Sequence, residues 1–290
     1  MGGVVSPIIR LSIIISAIVI GRALEPYSTG QLFAVFRIAA LVGVVLTLVA
    51  VIGLEPRRTD IVKQKRESQK AALNAIVNNP QARLFFVYLI LMLSAILGQD
   101  VLLEPFGAHA FNMTVEETTQ LTATWGGMTL ISLLLTGFVL NRLLSKKEGA
   151  FLGGLIATIG LLVIASSGSF NNEALFVPGI AILGFGTGIA TATNLGLMLD
   201  MTTAEQAGLF IGAWGVADAL ARGLGILLGG VIRDVVTFTS GSMTTGYVSV
   251  FIIEALLLAS SLVLLSVLSV DGFREEQPDF VELAAMSADL

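Results

Sequence analysis

The chain reads as an all-α, polytopic membrane protein, and three observations predict that class. Its 290 residues are 55% hydrophobic and only 13% charged, with a mean hydropathy of +0.89. The apolar residues gather into runs of about 20, the length at which a helix crosses a hydrocarbon core about 30 Å thick. Short segments alternating apolar and polar residues, the mark of a membrane barrel, are lacking, and inside lipid only a helix can otherwise satisfy its own backbone.

Eight spans follow in order: residues 8–24, 32–54, 84–101, 121–143, 150–167, 175–199, 208–231 and 247–270. The first carries Arg22 at its far end and no small-residue cleavage pattern before Glu25, so it is expected to stay in the mature chain rather than act as a signal peptide. The longest polar segment follows the second span and holds a weakly amphipathic patch at Leu73, Ile76 and Val77. The expected division is therefore two spans in 1–54, a basic linker in 55–80, six spans in 81–270 and an acidic, disordered tail in 271–290. The formal charge of -5 owes much to that tail, and nothing in it points to nucleic acid. The absence of cysteine excludes disulfides, iron–sulfur ligation and thiol chemistry.

Orientation follows from the basic residues. Arg57, Arg58, Lys63, Lys65, Arg66 and Lys70 follow the second span, and Arg142, Lys146 and Lys147 follow the fourth, whereas loops of the other parity carry little more than Arg22 and Arg233. The positive-inside rule makes the two basic loops cytoplasmic, and both chain ends with them. The stretch "LLEPFGAHAFNMTVEE" then faces the periplasm or a thylakoid lumen.

Polar residues inside the spans are the first functional candidates, because ionisable groups there must face helices or a cavity. Asp218 and Arg222 are spaced i and i+4 in the seventh span, which predicts one shared face and mutual neutralisation, as either a functional or a structural pair. Trp214, Gly215, Gly225 and Gly229 are expected on that face, with Leu220, Leu224, Leu227 and Val231 turned away. Polar stripes also run along the fourth span (Thr122, Trp125, Thr129, Ser132, Thr136) and the sixth (Gly184, Thr187, Gly188, Thr191, Asn194), for which helix packing is the favoured account over ligand contact. Glu254 in the last span is an outlying candidate for the same cavity.

Six spans with short loops have the size of one half of a major facilitator transporter. Gly137, Asn141, Arg142, Lys146 and Lys147 are similar to a degraded copy of that superfamily's cytoplasmic signature, with Asn141 where an Asp is expected; basic residues required by topology explain them equally well. The runs "GQDVLLEPFGAHAFNMTVEETTQLTATWGG", "GLFIGAWGVADALARGLGILLGGVIRD" and "GRALEPYSTGQL" are more specific. Through them the chain resembles the PucC-like (bacteriochlorophyll delivery) branch of the major facilitator superfamily over nearly its whole length. Members of that branch have twelve spans, so the chain is expected to lack the first four and to hold part of an N-terminal half with a complete C-terminal one.

The resemblance implies a carrier or assembly factor that delivers chlorophyll-type pigment to light-harvesting complexes or photosystems. The membrane would be the thylakoid or plasma membrane of a photosynthetic bacterium, with light-harvesting or photosystem proteins and pigment-synthesis enzymes as partners. A chlorophyll magnesium is a hard cation with an open axial position, so Glu104 and His109 are its candidate ligands. Near them Pro105 is expected to stop the third span, Gly107 to allow a tight turn, and Gln99, Asp100 and Glu104 to sit at the membrane surface with the two acids on one face. Candidate pigment or substrate contacts are Gln99, Asp100, Glu104, His109, Trp125, Thr129, Thr187, Thr191, Asn194, Trp214, Asp218 and Arg222. Two other classes stay open: a secondary transporter coupling a small solute to protons through Asp218 or Glu254, and a truncated, non-transporting protein resting against a pigment complex.

Other readings fail on context. "GFGTG" at 184–188 imitates a phosphate-binding loop but lies within an apolar span and follows no strand, so close helix packing is expected there. No catalytic triad, zinc-site spacing or nucleotide motif occurs, and the chain is read as a non-enzyme without nucleotide or free metal ion.

Overall fold

The computed structural model describes residues 28–51, 80–201 and 207–269, with fragments at 19–20 and 22–23. Among these residues the regular structure is helical, and seven helices are long and apolar enough to cross a membrane. The first expected span lies outside the described residues apart from its last few positions. The Leu73, Ile76 and Val77 patch, nearly all of the basic linker and the acidic tail lie outside them as well.

Helix α1 (Thr29–Val51) is exposed along its length, with Phe33, Phe36, Leu41, Leu46 and Leu48 each more than 60% accessible. Past its first turn, and apart from Arg37 and Thr47, this exposed surface is apolar and suits lipid. The other long helices pack together: α2 (Pro80–Gly98), α4 (Val115–Leu135), α5 (Lys146–Ser169), α6 (Phe176–Asp200), α7 (Ala207–Ser240) and α8 (Met243–Val267). A short helix, α3 (Leu103–Phe111), joins α2 to α4. Helix α6 packs between α4 and α5, α5 packs on α8, and α2, α7 and α8 form a three-helix contact.

Glycine sets these contacts. Without a hydrophobic force between helices in lipid, small residues that let backbones touch supply the packing energy. A Cβ on Gly186 of α6 would strike the backbone of Ala157, and one on Gly184 would lie 2.5 Å from the Trp125 carbonyl of α4. Gly188 sits against Ser132 and the Thr129 carbonyl, and Gly160 of α5 against the Leu183 backbone. The "GFGTG" run is thus the middle layer of an α4–α6–α5 stack, as its place inside a span predicts. The hydroxyls nearby bond back to their own helices: Thr129 donates to Trp125 O (2.7 Å), Thr136 to Ser132 O (2.7 Å) and Thr187 to Leu183 O (2.8 Å). Buried hydroxyls satisfied in this way cost little in lipid.

Helix ends depart from the expected spans where polar residues find partners. Helix α7 runs to Ser240, nine residues past the apolar stretch, and in this extension Arg233 pairs with Asp234 (2.7 Å) and lies over the Tyr247 ring. Only Gly241, at φ 71°, and Ser242 then separate it from α8. Past Leu135, α4 continues through a π-helical segment (Thr136–Leu140) and a last turn, Asn141–Leu143. The basic turn that follows is a clamp. Ser145 and Glu148 form a capping box at the start of α5, Lys146 pairs with Asp200 at 2.5 Å, and Lys147 donates to the carbonyls of Ser266 (2.8 Å) and Leu268 (2.6 Å). One end of α5, α6 and α8 is thereby tied together by Lys146 and Lys147, while Arg142 stays exposed.

Side-chain volume should decide stability at these crossings. Gly186→Leu is expected to prevent folding or lower the melting temperature by well over 10 °C. Gly127→Ala, where nothing lies within 4 Å, should be neutral or slightly stabilising, since an alanine in a helix gains about 0.5–1 kcal/mol over glycine. Thermal melting of both variants in detergent checks this.

Candidate functional site

The segment 99–104 organises the end of the bundle opposite the basic clamp. After α2 the chain tightens into a 3₁₀ turn, Gln99–Val101, and re-enters an α-helix at Leu103. Pro105 therefore does not stop a helix: it stands in the first turn of α3, where its missing N–H has no intrahelical acceptor to lose. Gly107 is no turn residue either. It is buried in α3, where a Cβ would lie 2.9 Å from Met113 Sδ and 3.0 Å from Phe176 Cε1. Phe106, fully buried, plugs the bundle end between Phe176, Tyr247 and Phe251, with ring centroids 5.1–5.6 Å away.

The 3₁₀ turn also separates the two acids expected on one face. Asp100 accepts from Arg222 Nη1 of α7 at 3.0 Å, whereas Glu104 accepts from Thr122 Oγ1 of α4 at 2.7 Å. Gln99, fully buried, orients the first acid by donating to Asp100 Oδ1 (3.1 Å) and Ile96 O (3.0 Å). One short run thus fastens α7 on one side and α4 on the other.

Arg222 is consequently not neutralised by Asp218. Asp218 is half-buried one turn away and forms no ion pair with Arg222. The reason is the inner face of α7, which is Ala217, Ala221, Gly225 and Gly229 rather than the charged residues. Gly225 meets Gly98 of α2, where a Cβ would lie 2.9 Å from the Gly98 Cα. That approach brings the flanking guanidinium to Asp100. Gly225 and Gly229 share the inner face and Trp214 packs at its edge, but Gly215 is exposed; Leu220, Leu224, Leu227 and Val231 turn outward as expected.

The remaining candidates divide. Trp125 is half-buried on α4 one turn from Thr122, so Thr122, which holds Glu104, and Trp125 share one face of α4 and make a ledge along it. His109 is exposed on α3, stacked on Tyr247 at 6.4 Å, and so sits on an ordered helix rather than in a loose segment. Five residues separate it from Glu104, about 140° around a helix, so the two do not converge on one point. Thr129 and Thr187 lie in helix contacts, and Thr191 is half-buried on α6. Asn194 is buried in the core, where it donates to Ala190 O (2.8 Å) and Met92 Sδ (3.2 Å), beside the Tyr88 hydroxyl. Among the described residues no group of three or more acids or histidines gathers as a metal-ion site.

Residues 2–273 match the family model described as "PUCC protein". The chain belongs to that family. It is 32% identical over 269 residues to Protein PucC of Cereibacter sphaeroides, covering 87% of this chain and 56% of the relative. It is also 32% identical to Protein PucC of Rhodobacter capsulatus, over 88% of this chain and 58% of that one. A third relative, the bacteriochlorophyll synthase 44.5 kDa chain of Rhodobacter capsulatus, is 30% identical over 87% of this chain and 61% of its own length. The chain thus spans little more than half the length of these PucC relatives.

The geometry predicts which charges are coupled in this PUCC-family chain. In a double-mutant cycle, Asp100→Asn and Arg222→Gln should be non-additive by about 0.5–1 kcal/mol, because the two side chains form a direct ion pair across a helix crossing. Asp218→Asn with Arg222→Gln should be additive. Unfolding titrations in mixed micelles measure both.

Proposed function

We propose that this chain is a membrane carrier or assembly factor that accepts a chlorophyll-type magnesium tetrapyrrole and passes it to light-harvesting or photosystem proteins in a photosynthetic bacterium. The observation that carries the reading is the family match over residues 2–273, which includes relatives named for PucC and for a bacteriochlorophyll synthase chain. The bundle adds a suitable surface. A tetrapyrrole is a flat apolar disc that needs one oxygen or nitrogen ligand at its metal, and the ledge offers Glu104, with Trp125 one turn along α4 from its partner Thr122. Thr122 takes one oxygen of the carboxylate and fixes its direction, so the acid is pre-oriented rather than recruited. Helices α4 and α7 are buried over only 22% of their apolar windows, against 50–61% for α2, α5, α6 and α8, which leaves apolar surface on which a macrocycle and its tail could lie.

In this reading the basic clamp at Lys146 and Lys147 faces the cytoplasm, and α3 with the ledge faces the other compartment. A reporter fused after Lys147 should read cytoplasmic and one after His109 external; the same compartment for both would overturn the orientation.

Pigment retention tests the ledge. When the protein is purified from a pigment-making host, Glu104→Ala should lower bound pigment per folded protein about tenfold, equivalent to one lost contact of about 1.4 kcal/mol. Glu104→Gln should keep part of it, since an amide oxygen still approaches magnesium. Thr122→Val should fall between wild type and Glu104→Ala, and His109→Ala should matter least. Loss of pigment only in proportion to loss of folded protein would assign Glu104 a purely structural role.

A further inference from the structure

Glu254 stands near the middle of α8, 4% exposed, and neither of its carboxyl oxygens has a hydrogen-bond partner among the described residues. It points at the α2–α7 crossing: a Cβ on Gly98 would lie 2.6 Å from Glu254 Oε1, and Gly225 closes the other side. The small cleft around it is walled by Ser94, Gly229, Ile232, Val250 and Leu257, mostly apolar. Glycine at positions 98 and 225 is what makes room for the carboxyl.

The ionisable groups around this point are few. From α2 and the 3₁₀ turn comes Asp100, two residues beyond Gly98, which lies against the Glu254 carboxyl. From α7 come Arg222, already paired with Asp100, Asp218 one turn further along, and, about two turns past Gly225, Arg233, which is held by Asp234 and the Tyr247 ring. Helix α5 contributes Lys146, Lys147 and Glu148 only at the opposite end of α8, where Lys147 caps Ser266 and Leu268. Helix α3 contributes His109 at Tyr247, about two turns of α8 away, and Glu104 is held by Thr122. Helix α8 itself carries no other charge. Both guanidinia of this region are thus committed elsewhere, Arg222 to Asp100 and Arg233 to Asp234. An ionised Glu254 would be an unpaired charge in a dry crossing beside a second carboxylate, an arrangement that membrane interiors do not sustain.

We propose that Glu254 is a proton-binding site at the α2–α7–α8 crossing, holding its proton when the three helices are packed and releasing it when they part. Gln99 and the partly exposed Asp100, at the outer end of α2, lie between this carboxyl and the membrane surface and give the proton its way out. Protonation and packing are then linked: loss of the proton places a negative charge against the Gly98–Gly225 contact and loosens it. The site is independent of the pigment reading, since it uses none of the ledge residues.

Infrared difference spectroscopy of the full chain in lipid nanodiscs tests this, comparing wild type with Glu254→Gln across pH. At neutral pH the wild type should show a protonated-carboxyl C=O band that the variant lacks, and the band should disappear reversibly as pH is raised. Glu254→Gln, a neutral isostere of the protonated state, should fold. Its melting temperature should stay level as pH rises while that of the wild type falls, because only the wild type can acquire the buried charge. Absence of the band at neutral pH, a band that no pH removes, or failure of Glu254→Gln to fold would each overturn the proposal.

Discussion

Where α6 passes between α4 and α5, its backbone touches theirs on both sides, with Gly184 and Gly188 against α4 and Gly186 against α5. The same device recurs at Gly98 and Gly225, where α2 meets α7. Close backbone contact is the constraint on which the rest of this bundle depends. Lipid supplies no hydrophobic drive between helices, so their separation is set by the smallest residue at each crossing. A separation set by glycine also determines which polar side chains can reach one another across the gap.

Both polar features of the bundle follow from this. At the α2–α7 crossing, contact at Gly225 carries Arg222 to Asp100, and the missing side chain of Gly98 leaves room for the Glu254 carboxyl. At the bundle end, Phe106 inserts among Phe176, Tyr247 and Phe251 and seats α3, which fixes Glu104 over Thr122. Satisfying polar groups within the protein is obligatory in this solvent. Thr129, Ser132 and Thr136 of α4 and Thr187 of α6 do so within their own helices, and Asp100 and Glu104 do so by reaching two different ones.

The all-α class and the position of every described span were legible in the sequence, because hydropathy over a bilayer-length window is a strong signal. The glycine-rich face of the sixth span was also read correctly as packing. Relations between helices were not legible. Spacing i and i+4 paired Asp218 with Arg222, but such spacing reports neighbours on one helix and says nothing of an acid brought in from another, as Asp100 is. Pro105 was taken for a stop because a proline after an apolar run usually ends a helix; the signal overlooked was the 3₁₀ turn before it, which lets proline begin a new one. Glu254 ranked low because a lone acid in a span has no pattern around it, and its importance comes from Gly98 and Gly225, distant in sequence. Within the ledge, the sequence offers the acid and the tryptophan separately, but the bond from Thr122 to Glu104 needs α3 and α4 in place.

That the run 99–104 fastens α7 through Asp100 and α4 through Glu104 is the central claim, and the lack of native cysteine makes it directly measurable. Cysteine pairs at 100 and 222 and at 104 and 122, treated in native membranes with a short bifunctional thiol reagent, should cross-link efficiently. The exchanged pairs, 100 with 122 and 104 with 222, should not. Efficient cross-linking of the exchanged pairs, with failure of the first two, would contradict the account.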